Sequence, residues 1–92
     1  MVNIREARQR AVEFITEDYG LDETYEFELQ RQQRRQGQWE LEFLVVEYGR
    51  TALFNRRQRL REMSVLVVLD ASDGEVTYCG DPDDWIDDDI ED

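Results

Sequence analysis

Lysine and histidine are absent from this sequence, and cysteine and proline occur once each. Each absence excludes something. Without histidine, the chain lacks the usual general base near neutral pH and the commonest zinc ligand. Cys79 alone permits no internal disulfide and no Cys-x-x-Cys redox or zinc motif. No stretch nears the roughly 18 apolar residues of a membrane span. The opening MVNIREARQR carries charge where a signal peptide needs its apolar region. These absences predict a soluble cytoplasmic protein with no cofactor, no metal site and no membrane association.

What the chain does have is acid. Its 92 residues suit one modest domain. Against 11 arginines stand 23 acidic residues, for a net charge of −12. Residues 1–61 hold eleven Arg and eleven Asp or Glu, so they balance. Residues 62–92 hold twelve acids and no Arg, so they carry the whole excess. An arginine-only, acid-rich composition fits a salt-adapted host, but adaptation should spread acid over every exposed face. A basic partner, or mimicry of a nucleic acid, accounts for concentrated acid more directly.

Periodicity predicts an α+β fold, with an N-terminal helix on a four-stranded antiparallel sheet and a short acidic C-terminal helix or tail. Asn3 is an N-cap followed three residues later by Glu6. Ile4, Ala7, Ala11, Val12, Phe14, Ile15 and Tyr19 follow helical spacing, and Gly20 suits the helix end. From Tyr25 the period becomes two: Tyr25, Phe27 and Leu29 face one way and Glu26, Glu28 and Gln30 the other. Residues 34–37 read as a hairpin loop. Trp39, Leu41, Phe43 and Val45 resume the alternation, and Leu44, Val46 and Tyr48 fill the second face. Residues 49–62 break the pattern and read as a loop, a short helix or an irregular strand. Met63 to Leu69 is a β-branched strand, residues 71–74 a tight turn, and Glu75 to Cys79 the returning strand. Asp81-Pro82 then reads as an N-cap with proline at the first helical position. The chain is expected to divide into a domain over 1–80 and an acidic tail over 81–92.

The segment from Val67 to Ile90 is the most distinctive. Trp39 opens the earlier strand; Asp70, Asp73, Gly74, Glu75 and Val76 form the hairpin; Gly80 follows, then Trp85 and Ile86. This order resembles the YrhB-like family of small bacterial proteins, grouped with polymorphic-toxin immunity proteins. Arg59-Leu60-Arg61-Glu62 stands where that family commonly carries Gly-Asn-x-Pro. The hairpin is also similar to that of PepSY domains, and WELEFLVVEYGR to a strand of gas vesicle protein O. The YrhB-like resemblance implies an immunity function. The hairpin residues are equally ordinary turn chemistry.

Two clusters are candidate binding sites. The tail places Asp81, Asp83, Asp84, Asp87, Asp88 and Asp89 around Trp85 and Ile86. Aromatic anchors ringed by charge are typical hot spots, and opposed charge speeds encounter. A plain solvated tail, or one docked on its own sheet, fits the same residues. Arg50, Arg56, Arg57, Arg59 and Arg61 form a basic patch around Phe54. They can contact phosphates or pair with the chain's own acids. The net charge disfavours direct nucleic-acid binding. The tail lacks the spacing of a calcium loop. Glu40 and Glu42 share a predicted face as an acid–base pair would, but outward glutamates on an alternating strand are ordinary. Cys79 reads as a small buried hydrophobe.

The expectation is therefore a non-enzymatic binding or inhibitor protein, an immunity protein in its concrete form, that sequesters a basic protein. The alternatives are a nucleic-acid mimic or a structural domain of a salt-adapted cell. The apolar Val65–Leu69 strand, read as an edge, can pair two copies into a homodimer.

Overall fold

A computed structural model describes residues 1–50 and 57–85; the side chains of Arg50 and Arg57 are not included. Helix α1 (Ile4–Tyr19) precedes strands β1 (Tyr25–Arg35), β2 (Gln38–Arg50), β3 (Arg57–Asp70) and β4 (Val76–Gly80), and a 3₁₀ turn follows at Pro82–Asp84. The strands form one antiparallel sheet in chain order, β1-β2-β3-β4. The expected α+β architecture is present.

Both ends of α1 are set by the residues that predicted them. Asn3 Oδ1 accepts from the Glu6 N–H at 2.9 Å, satisfying a backbone donor the first turn leaves open. Gly20 adopts φ 65°, where a Cβ would be strained, and its N–H returns to the Thr16 carbonyl. Ala7, Ala11 and Ile15 are buried on one helix stripe. They meet Leu41, Phe43 and Val45 of β2 and Val65, Val67 and Leu69 of β3. The helix touches β2, β3 and β4, so β1 is left at the margin of the core. Phe27 and Leu29 of β1 are accordingly half-buried.

The sheet is buried on its second face too. Val46, Leu66 and Val68 are fully buried there, as the apolar positions on both faces predict. The 3₁₀ turn reaches β3.

Of the three readings left open for residues 49–62, the irregular strand holds where the structure describes them. Gly49 and Arg50 belong to β2 and residues 57–62 to β3, with a register shift between Glu47 and Tyr48. Residues 51–56, Phe54 among them, lie outside the described residues. Gln58, Leu60 and Glu62 offer no apolar alternation, so periodicity does not register them as strand. Charge pairing with other strands supports them instead: Arg59 meets Glu28 at 3.3 Å and Arg61 meets Glu47 at 2.8 Å. One sequence expectation is corrected: Val65–Leu69 is not an edge. It lies in β3, between β2 and β4; the sheet's edges are β1 and β4. Its continuous run of apolar residues reflects burial on both faces.

An acidic and aromatic corner at the edge strand

The hairpin from β3 to β4 is built by its aspartates. Asp70 Oδ1 accepts from the Ser72 N–H at 2.7 Å, and Asp73 Oδ1 accepts from the Glu75 N–H at 2.8 Å. Gly74 stands at φ 80°, and a Cβ there would lie 2.7 Å from Arg10 Cδ. Asp70, Asp73 and Gly74 thus have structural work in this turn, whatever else they do.

Past the turn, β4 delivers Tyr78 to the face opposite α1, paired with Val68. Gly80 lies two residues on, with the Tyr78 hydroxyl 3.1 Å from where a Cβ would stand. Absence of that Cβ gives the ring its space. The Tyr78 O–H donates to the Asp81 carbonyl at 2.6 Å, which turns the chain at the strand's end. Asp81 then caps the 3₁₀ turn, its side chain accepting from the Asp83 N–H at 2.9 Å. Asp81-Pro82 acts as the expected start signal, but the described helical stretch is one turn. It ends at Trp85, whose half-buried ring lies 6.4 Å from that of Tyr78. Asp81, Asp83 and Asp84 are exposed around this aromatic pair.

The end of α1 lies on the other face of the sheet, where Tyr19 lines a cleft with Leu21, Tyr25, Val45 and Met63. Burial raises the Tyr19 hydroxyl pKa, and Cys79, Asp18, Tyr78 and Asp81 add to it. Burial is also the main cause of the raised Tyr78 pKa, followed by Asp84 and Asp81. Half-buried Cys79 is pushed up to about 11, first by burial and then by Asp18. Tyr78 belongs to the site but was not among its expected members. Tyr78 carried a weak signal, as an aromatic two residues before Gly80.

Charge partners are distributed unevenly. Every ion pair among the described residues uses an acid at or before Glu62. Arg59 and Arg61 of the expected basic patch are both engaged: Arg59 with Glu28 and Glu62, Arg61 with Glu47 and, at 3.4 Å, the Tyr25 hydroxyl. Arg56 and the side chains of Arg50 and Arg57 lie outside the described residues. So do Ile86, Asp87, Asp88 and Asp89 of the expected tail site. Glu40 and Glu42 do share a face, and each is held by an arginine of β1: Arg35 at 3.4 Å and Arg31 at 3.3 Å. Gln33 Nε2 also donates to Glu40, at 3.0 Å. Glu40 is only 5% exposed, so this ion pair sits in the sheet's second buried layer.

Among the described residues, no group of three or more His, Cys, Asp or Glu is placed to hold a metal ion. Nor is any helix long and apolar enough to cross a membrane. Tyr78 and Trp85 supply aromatic rings, while the exposed Asp81, Asp83 and Asp84 present carboxylates. Cations on flexible stems meet both kinds of group well. The chain matches no protein-family model, no curated protein and no solved structure.

Proposed function

We propose that this protein is a non-enzymatic binding module whose acidic and aromatic corner engages an arginine- or lysine-rich segment of another protein. One observation carries the reading. Asp81, Asp83 and Asp84 stand exposed around the Tyr78–Trp85 pair, and none enters an ion pair among the described residues. Exposed carboxylates supply long-range attraction, and the rings supply apolar area and cation–π contact. Occupying the cationic surface of a partner would inhibit or sequester it. Neutralisation of a toxin is the concrete version, in line with the YrhB-like resemblance.

The test is titration with nona-arginine, followed by amide chemical shifts. Shifts should centre on residues 78–85. Replacing Asp81, Asp83 and Asp84 by Asn, with Trp85→Ala, should weaken binding at least about tenfold, a loss of about 1.4 kcal/mol. Unchanged affinity in that variant would overturn the assignment.

A further inference from the structure

We propose that the chain forms a twofold dimer by antiparallel pairing of β1 with β1 of a second copy. The joined sheet would have eight strands. β1 is irregular at one point. β1 pairs regularly with β2 from Tyr25 to Leu29 and again from Arg31 to Arg35, and Gln30 is the extra residue between. Such a bulge reverses which face the following side chains occupy. Before it, Glu26 and Glu28 lie on the face away from α1, opposite Val46 and Leu44. After it, Arg31 and Arg35 lie on that same face, opposite Glu42 and Gln38. Without the bulge, Arg31 and Arg35 would point the other way.

The edge strand therefore carries an acidic half and a basic half on one face. Antiparallel pairing about a twofold axis near Gln30 sets the acidic half of each copy against the basic half of the other. Pairing in the parallel sense would set like against like. Opposite charges across a ladder stabilise it, and like charges oppose it. Glu28 and Arg31 remain 51% and 59% exposed beside their internal partners, so both stay accessible from the edge.

The other face supplies apolar area. α1 covers β1 only in part, and a groove of about 630 Å³ lies between them, lined by Val12, Phe27, Leu29 and Phe43. In the dimer, Phe27 and Leu29 of one copy face Gln32 and Arg34 of the other, whose side-chain stems cover apolar rings well. Net charge also favours this edge. Residues 1–61 are neutral as a group, while Asp70, Asp73 and Glu75 lead into β4 and Asp81, Asp83 and Asp84 follow it. Joining through β1 keeps both acidic edges at the far ends of the sheet, where their repulsion is smallest and both corners stay open.

Sedimentation of the full chain tests the proposal. The wild type should sediment as a dimer, weakening as salt is raised. Glu26→Arg with Glu28→Arg makes that face of the strand uniformly basic, and Arg31→Glu makes it mostly acidic. Each variant alone should self-associate at least about tenfold more weakly. Mixed together they should recover a heterodimer, which misfolded variants could not do. A wild type that stays monomeric at millimolar concentration would overturn the proposal. So would a dimer insensitive to both variants, or a mixture that fails to associate.

Discussion

The indole N–H of Trp39 donates to the Val2 carbonyl at 2.9 Å and so ties the beginning of the chain to the second strand. Val2 in turn donates its N–H to the Ala71 carbonyl at 2.7 Å, and Ala71 donates to Gly37 at 2.9 Å. Three segments distant in sequence are knitted at one end of the sheet. Trp39→Phe keeps most of the apolar area but leaves the Val2 carbonyl without its donor. The expected loss is about 1–3 kcal/mol, read from urea unfolding. Equal stability would show that water replaces the indole.

Gly74 has two demands on it, a positive φ and the nearby Arg10 side chain. The guanidinium is the far end of a flexible chain and can move; the backbone cannot. Gly74→Ala should therefore cost about 1–2 kcal/mol from the backbone conformation. Adding Arg10→Ala should recover little of it. Full recovery in the double variant would put the cost in the side-chain clash instead.

Glu40 is nearly buried while its partner Arg35 is 37% exposed. Removing one member of a buried pair leaves an uncompensated charge, whereas replacing both by apolar groups is often neutral. Arg35→Met should lower stability by more than about 1 kcal/mol. The double variant Arg35→Met with Glu40→Leu should be the more stable of the two. Thermal unfolding of both variants gives the order directly.

Cys79 predicts alkaline behaviour. Its folded pKa is raised from 9.0 to about 11. Between those values the unfolded chain releases its proton while the folded chain keeps it. The unfolded state is then favoured as pH rises, so the stabilising contribution present below pH 9 is lost towards pH 11. Cys79→Ala should flatten the alkaline decline of stability. The thiol should also react with iodoacetamide at pH 8 far more slowly in the folded chain than in urea, because the thiolate is the reacting form. Similar rates in both would contradict the burial assigned to it.

The sequence was most informative where one local cause dominates. Asn3 and Gly20 bound the helix through caps that need only neighbouring residues. Leu41, Phe43 and Val45 show their face through strict alternation. The bulge at Gln30 left no such mark, since Gln30 to Arg35 is polar throughout and its period is invisible to hydrophobicity. The same holds for residues 57–62, where Arg59 and Arg61 find acids on other strands. The candidate corner was half visible. Asp81 to Trp85 stood out by composition, whereas Tyr78 looked like an ordinary strand residue until folding set its ring near that of Trp85.

Strand order has a consequence for how the molecule breathes. In a meander each strand is hydrogen-bonded only to its neighbours in the chain, and β1 and β4 have a neighbour on one side alone. Fraying costs least at these margins, and amide exchange should pass from them inward to β2 and β3. The acidic corner and the proposed seam occupy these two margins. Whatever binds at either would slow exchange along one outer strand, giving each contact its own signature.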